Sequence, residues 1–351
     1  MTPAAALARV ERPPFGGAVE VAPGVVWVRM PLPFALDHVN LWLLEDGDAW
    51  TLVDTGHDDG RTRAAWDDVA TNVLQGRPIR RVISTHHHPD HIGLSGWMAK
   101  RWGAELWTTR TEWLYGSARS QLSLREARVS TGEFYRRAGA PAEELARIVD
   151  CCLSYADNVA MAPSFRRIRD GEEFLVGGVR WRVLVGGGHA PEHACLVAPE
   201  RGLFISGDQV LQTISPNVSI WPAEPADDPL AEFLRALEAI RSLPEDTLVL
   251  PAHGRPFIGL PQRCQALALH HEERLAAVLA ACDRPRTAFE VMGVLFDRAL
   301  DPHQTTFAAG EAIAHLNYLA ARGRVRCERS ARGPHRYVRT VRDFGAGATL
   351  G

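Results

Sequence analysis

Four short segments carry most of the residues able to do chemistry. They are Thr85-His86-His87-His88-Pro89-Asp90-His91, Gly188-His189, Ser206-Gly207-Asp208 and Pro251-Ala252-His253-Gly254. Each follows directly on an apolar run, where a β scaffold presents side chains from its loops. His86 and His88 are two apart, so on an extended segment they face the same way. Neutral imidazole is a strong ligand for zinc, iron or manganese. A third histidine, His189, completes a three-nitrogen site. Asp90 and His91 stand at the turn into a following helix and address a second position, which His253 finishes. Asp208 has two oxygens and can bridge two ions. Three ligands each and a shared carboxylate leave a bridging position for water, as metal-assisted hydrolysis requires. His87 alternates away from its neighbours and is expected to pack or to support them rather than bind metal.

The elements that must hold these residues show as patterns. VVWVRM, VNLWLLED and AWTLVDTG, within 25–56, read as three strands divided by proline or by an EDGD turn. Residues 61–75 read as a helix, and RRVIST (80–85) as a buried strand running into the histidine cluster. A helix at 94–102 and a strand at 104–109 follow. Residues 111–165, rich in Arg, Glu, Ser and Ala, are expected to be a helical insertion in which Pro141 separates two helical stretches. Strand character returns at 174–206, broken by turns at Gly177-Gly178 and Pro199–Gly202. Asp228-Pro229 opens a helix by N-cap and N1 logic, with Leu230, Phe233, Leu234, Leu237 and Ile240 on one face. TLVLPAHG (247–254) is the last strand. Beyond 261 helices dominate, and a helix near 306–322 followed by VRCERS and HRYVRT has the pattern of a winged helix.

The chain has 351 residues, enough for about two domains. Hydrophobic residues are 46% and charged residues 23%, an ordinary globular composition that argues against wholesale disorder. Net charge is −3, so the whole chain is no magnet for nucleic acid or anionic membrane. No run of about 18 apolar residues exists to cross a membrane. The N-terminus lacks the pattern of a signal peptide, which makes the cytoplasm the expected location. The six cysteines form no CxxC pair and are expected to be free thiols. The ends, 1–15 and 345–351, are expected to fray.

The set HHHPDH, GHAPEH, SGDQV and PAHG closely resembles the metallo-β-lactamase superfamily of hydrolases. The resemblance covers about residues 20–260. It implies an α/β fold, the four-layer αββα sandwich with metals at one edge of its two sheets. It also implies His86, His88 and His189 at the first metal, Asp90, His91 and His253 at the second, and Asp208 bridging. Asp54, in VDTG, matches the family's buried aspartate that braces the site. A second resemblance, resting on HLNYLAARGRV before the wing, is to the C-terminal domain of the β-lactamase-like protein 2 group. The expected organisation is a flexible N-terminus at 1–20, a catalytic domain at 21–260 with its insertion at 111–165, and a helical, winged-helix domain at 261–344. The sequence departs from glyoxalase II: the basic residues that hold glutathione there are not recognisable. GHAPEH stands where many relatives have GHTPGH, which puts Glu192 and His193 near the metals without making them ligands.

These implications define the expected chemistry. Two divalent ions, zinc by default with iron or manganese as fits, would activate a bridging hydroxide against an ester, thioester or lactone. Asp90 and Asp208 would be the catalytic carboxylates, Asp90 orienting the nucleophile and carrying a proton to the leaving group. No GxSxG elbow offers a serine nucleophile. The expected partner is a small or medium acyl substrate, with a homodimer possible and no membrane. Trp97, Trp113, Tyr115 and Trp221 are candidates to wall an apolar cleft, and Ser215, Asn217 and Ser219, in a loop over the site, to contact substrate. One alternative is an endoribonuclease whose basic wing, with Arg322, Arg324, Arg326, Arg329, Arg332, Arg336, Arg339 and Arg342, contacts phosphates. Another is a mononuclear iron enzyme of the persulfide dioxygenase kind.

Overall fold

The structure, a computed structural model, describes residues 10–153 and 155–340. Most of the two ends expected to fray lies outside them.

Two sheets form the centre. In the first, β1 (Ala18–Ala22), β2 (Val25–Pro31), β3 (His38–Asp46) and β4 (Ala49–Val53) are antiparallel neighbours, and β5 (Ile79–Ile83), β6 (Glu105–Thr108) and β7 (Arg166–Arg167) continue it in parallel. In the second, β8 (Glu173–Val176), β9 (Val179–Gly186), β10 (His193–Ala198) and β11 (Leu203–Gly207) are antiparallel, and β12 (Leu248–Pro251) joins β11 in parallel. Alternation along each strand gives each sheet two apolar faces. Trp27, Trp42, Leu44, Val53 and Ile83 of the first sheet meet Trp181, Val183, Leu196, Ile205 and Leu250 of the second. This inter-sheet core is mostly apolar, with the buried Asn40 satisfied by Trp27 Nε1 and the Pro251 carbonyl, and its strands read as continuous hydrophobic runs because both faces are covered.

Helices cover the outer faces. On the first sheet, α1 (Gly60–Asn72), α2 (Pro89–Ile92) and α3 (Ser95–Trp102) bring Trp66, Val69, Ile92 and Met98 against Val28, Leu41, Leu43 and Leu52. The segment after β6 is a helical insertion of three helices, α4 (Arg110–Gln121), α5 (Leu124–Ala138) and α6 (Ala142–Leu153). Two stretches parted at Pro141 were expected. The additional break comes at Ser123, whose Oγ accepts from Glu126 N–H and starts a new helix. On the second sheet, α7 (Pro229–Ile240), opened by the Asp228 cap, packs Leu230, Phe233 and Leu237 on Cys195, Val197, Phe204 and Val249. The result is the four-layer α/β arrangement expected from the sequence.

Beyond α7 come α8 (Leu260–Ala281), α9 (Ala288–Leu295), α10 (Pro302–Ala321) and a hairpin of β13 (Val325–Glu328) and β14 (Arg336–Arg339). Helix α10 starts at Pro302 rather than near 306, because Asp301 and Gln304 form a capping box there. A separate core joins this region to the insertion: Tyr135, Ala138 and Ile148 pack with Val278, Phe289, Ala309, Ile313, Leu316 and Tyr337. The N-terminal tail, expected to extend to residue 20, gives way earlier. Residues 18–22 pair with β2 as an edge strand, because Val19 and Val21 find partly buried places beside the inter-sheet core. Cys152, Cys195, Cys264, Cys282 and Cys327 are free thiols, with Cys195 buried as its apolar run suggests.

Candidate metal centre

The strand ends that carry the four motifs meet at one edge of the sandwich. Beyond β5 the chain delivers Thr85 to His91. Between β9 and β10 lies His189, after β11 comes Asp208, and after β12 comes His253. The seven residues marked by sequence come together. His86 Nε2 lies 2.9 Å from His88 Nδ1 and 3.2 Å from His189 Nε2. Asp90 Oδ2 lies 3.5 Å from both His91 Nε2 and His253 Nε2. Asp208 stands between the two groups: Oδ2 is 3.3 Å from His189 Nε2 and 3.6 Å from His91 Nε2, and Oδ1 is 3.3 Å from His253 Nε2. Three overlapping sets therefore have donor atoms within 4.8 Å of one another: His86, His88 and His189; His86, His91 and Asp208; and Asp90, His91 and His253.

The surrounding hydrogen bonds decide which way the imidazole lone pairs point. His189 Nδ1 faces the Asn217 carbonyl at 2.8 Å, and His253 Nδ1 faces the His38 carbonyl at 2.8 Å. A carbonyl only accepts, so both Nδ1 atoms carry a proton and both Nε2 atoms face the Asp208 carboxylate. His91 Nδ1 donates in the same way to Asp54 Oδ2 at 2.8 Å. His86 Nδ1 meets Thr85 Oγ1 at 3.0 Å, and that hydroxyl also meets both oxygens of Asp54. The fold thus turns a set of imidazole nitrogens inward upon two carboxylates. His88 Nε2, His91 Nε2 and Asp208 Oδ1 are buried without a hydrogen-bond partner. Buried polar atoms left unpaired are costly, and a cation amid these donors would satisfy them. The donor set, imidazole with carboxylate, fits a pair of divalent ions.

Electrostatics agree. Burial acts to raise Asp90 and Asp208, but His91 and His253 hold both carboxyls well below the ordinary range. Burial acts to depress His253, yet Asp208 and Asp90 push it up to about 10. His86 and His88 are driven well below their ordinary value, first by burial and then by neighbouring imidazoles. They are neutral and free to ligate.

The supporting shell is partly what the sequence suggested. Asp54 sits at φ 61° and accepts from Thr85 N–H at 2.8 Å, bracing the cluster as the resemblance implied. His87 is buried and turned away from its neighbours' lone pairs. His193, pushed down to about 3 by burial and then His189, stays neutral and accepts from Asp208 N–H at 3.1 Å. Glu192 accepts from Thr111 N–H and pins the start of α4. Gly188 allows the turn into His189: its φ is +100°, and a Cβ there would lie 2.4 Å from Phe233 Cβ.

Tyr115 and Trp221 line the cleft beside His189. Trp97 and Trp113 do not. Trp97 packs on Trp102 and is flanked by Arg63 and Arg101, and Trp113 stacks on Phe165, because helical periodicity turns them into the layer under the first sheet. Asn217 and Ser219 are engaged within the chain, Ser219 Oγ donating to Asn217 Oδ1, although Ser219 also reaches the cleft. Sequence reasoning missed Glu112. Fully buried on α4, it accepts from His87 N–H and Glu192 N–H, and burial pushes it up to about 7. A single Glu in a polar insertion carries no signal of this. His38 was also missed: its main-chain carbonyl faces His253 Nδ1, and its Nε2 accepts from Gly254 N–H at 3.0 Å.

Comparison with known proteins agrees with this geometry. Residues 35–253 match the metallo-beta-lactamase superfamily, and residues 275–340 match a metallo-beta-lactamase-like C-terminal domain. The chain is similar to a beta-lactamase domain protein from Burkholderia ambifaria, with 40% identity and a TM-score of 0.88 over 95% of this chain and 97% of that one. A metallo-beta-lactamase family protein from Thermus thermophilus shares 32% identity with a TM-score of 0.78, over 92% of this chain and 100% of that one. "Probable metallo-hydrolase YqjP" from Bacillus subtilis is 26% identical over 85% of this chain and 92% of its own length. With strand-end histidines, a carboxylate between them and matches over most of its length, this chain belongs to the metallo-β-lactamase superfamily.

Proposed function

We propose that the chain is a cytoplasmic hydrolase of esters, thioesters or lactones that works with two divalent ions. The observation that carries this reading is the inward convergence of imidazole nitrogens on Asp208, beside a cleft walled by Tyr115 and Trp221. His86, His88 and His189 would hold one ion, Asp90, His91 and His253 the other, with Asp208 between them. Ions so held, zinc by default, would supply a water acidified toward neutral pH and a Lewis acid for the acyl oxygen.

The chain's own residues do the rest. Tyr115 and Trp221 place an apolar acyl group against the centre and keep bulk water from it. Asp90 is the most exposed of the site's carboxylates, with its side chain 19% accessible against 10% for Asp208 and 3% for Asp54. It is therefore the group that takes the proton from the attacking water and gives it to the leaving alcohol or thiol. The products are a carboxylic acid and that alcohol or thiol. Glu224, Asp227 and Glu232 line the same cleft, and their mutual repulsion shows in Glu232, raised by burial and then Asp227. Such a wall suits a neutral acyl group and repels a phosphodiester. Three of the arginines of the C-terminal region are already engaged: Arg322 pairs with Asp228, Arg326 with Glu328 and Arg336 with Glu290, while Arg342 lies outside the described residues. The acyl reading is therefore preferred to the nuclease.

The test is a side-by-side assay of metal-loaded protein on acyl esters, thioesters and lactones and on labelled single-stranded RNA, with Asp208→Ala as control. Acyl cleavage that disappears in the variant is expected. Cleavage of RNA alone would overturn the reading.

A further inference from the structure

The chain between β11 and α7, residues 208–228, holds no helix or strand. Yet it supplies Trp221 to the cleft and the Asn217 carbonyl to His189. Ordering such a segment costs conformational entropy that contacts elsewhere must offset. Those contacts come from α10. His303, Phe307, Gly310 and Asn317 fall at helical spacing and share one face of it. Phe307 meets Trp221 edge to face at 5.7 Å. The Gly310 carbonyl accepts from Ile220 N–H at 3.1 Å, and Ile220 is buried in one core with Ala309 and Ile313. Asn317 Nδ2 donates to the Asp227 carbonyl at 2.8 Å and to the Pro225 carbonyl at 3.2 Å. Arg322, at the end of the helix, pairs with Asp228 at 2.8 Å. At the other end His303 stacks on Phe34 of the β2–β3 loop at 4.7 Å.

Gly310 is where helix and segment come closest. Glycine weakens a helix interior relative to alanine, so its place there calls for a packing reason. A Cβ at Gly310 would lie 2.8 Å from Ser219 Cβ and 2.9 Å from both Ser219 Oγ and the Ile220 carbonyl oxygen. Carbon atoms in contact rest at about 3.5–4.0 Å. A side chain there would push the segment away. Ser219 Oγ lies 3.0 Å from the Phe307 carbonyl and 2.7 Å from Asn217 Oδ1. The Asn217 carbonyl in turn accepts from His189 Nδ1 at 2.8 Å. One line of contacts therefore runs from Gly310 through Ser219 and Asn217 to His189.

We infer that α10 of the C-terminal region positions the first metal site: seated on the segment through Gly310, it holds the Asn217 carbonyl against His189 and Trp221 against the cleft. Gly310 is a positioning residue that acts through Ser219 and Asn217. The inference rests on the two-ion reading of the centre and deepens it. Asp54 braces the second ion through His91, whereas α10 braces the first through His189, so the two ions depend on different parts of the chain.

The experiment is zinc competition with a chromophoric chelator on the full-length chain, with His189→Ala marking which ion is which. Gly310→Ala improves helix propensity, so any loss reports the contact with the segment. It should weaken the ion at His86, His88 and His189 about tenfold or more, since the fixed partner of a metal-ligating histidine is typically worth about 10–100-fold. The ion at Asp90, His91 and His253 should be unchanged. Ser219→Ala, a milder change that keeps the fold, removes one hydroxyl and should weaken the same ion about two- to tenfold. Gly293→Ala in α9, where a Cβ meets nothing within 4 Å, should move neither ion. Amide exchange in chelator-treated protein reads the contact without any ion: Ile220 N–H should exchange faster in Gly310→Ala than in the parent. Unchanged exchange at Ile220 would overturn the seating. A parent that binds two ions, with both unchanged or both equally weakened in Gly310→Ala and Ser219→Ala, would overturn the inference alone. A parent that binds a single ion, weakened by Gly310→Ala and not by Gly293→Ala, refutes the two-ion reading and supports the placement of His189. A parent that binds none refutes both.

Discussion

Asp54→Asn isolates the brace beneath the metal centre. Asp54 is 2% exposed and holds φ 61°, a left-handed conformation that Asn accepts nearly as well as Asp. The backbone should therefore survive. The carboxylate's two oxygens meet Thr85 N–H at 2.8 Å, Thr85 Oγ1 at 2.9 and 3.0 Å, and His91 Nδ1 at 2.8 Å. An amide has a single oxygen. If it serves Thr85, its NH₂ faces the His91 N–H; if it serves His91, the Thr85 N–H is left facing a donor. One buried donor is orphaned either way, at a cost of about 1–3 kcal/mol in stability. His91 also loses the carboxylate that fixes its tautomer and raises its basicity. A partner of this kind is typically worth about 10–100-fold in metal affinity, or about 1.4–2.8 kcal/mol. Competition with a chromophoric chelator, read for each of two ions, should show the ion at Asp90, His91 and His253 weakened by that factor. The ion at His86, His88 and His189 should weaken less, since His86 reaches Asp54 only through Thr85. Both affinities unchanged in a variant that melts like the parent would refute the reasoning. So would equal loss at both sites.

Three further outcomes follow from the structure. Stripping metal with a chelator leaves His91 Nε2 and Asp208 Oδ1 buried and unpaired, so adding back zinc at about 100 times its dissociation constant should stabilise the fold by about 2.7 kcal/mol; an unchanged melting temperature would count against the centre. Gly188→Ala places a Cβ 2.4 Å from Phe233 Cβ at φ +100°, so urea unfolding should show a loss of about 2 kcal/mol or more, from left-handed strain and overpacking together; a change near zero would contradict the geometry. Glu311, in α10, is pushed up to about 7 by burial against the pull of Arg274. Its folded value exceeds the ordinary 4.5, so its contribution is full below 4.5 and is lost as pH rises through about 7. Glu311→Gln should remove that loss, and the stability of the variant relative to the parent should climb across the same window; a constant difference would show that Glu311 keeps its ordinary value.

Much of the candidate centre could be read before any fold was known, because each donor segment stands immediately after an apolar run. A strand end fixes where its next residues emerge, so HHHPDH, GH, SGD and PAH declare themselves by local order alone. The same holds for the inner and outer faces of β2 and β3, since alternation is local, and for the start of α7, since Asp228-Pro229 is a cap. Long-range contacts decided the rest. Trp97 and Trp113 differ from Tyr115 and Trp221 only in which packed layer their backbone enters. Glu112 became a support of His87 because α4 folds back over the cluster, 25 residues away in sequence. The carbonyls of His38 and Asn217 set the tautomers of His253 and His189, and a main-chain acceptor leaves no trace in residue type. The sequence by itself determined the candidate donors and the strands that carry them, because those depend on neighbours in the chain. The direction of the imidazole nitrogens and the cleft walls depend on residues far apart in the chain, and only tertiary packing brings those together.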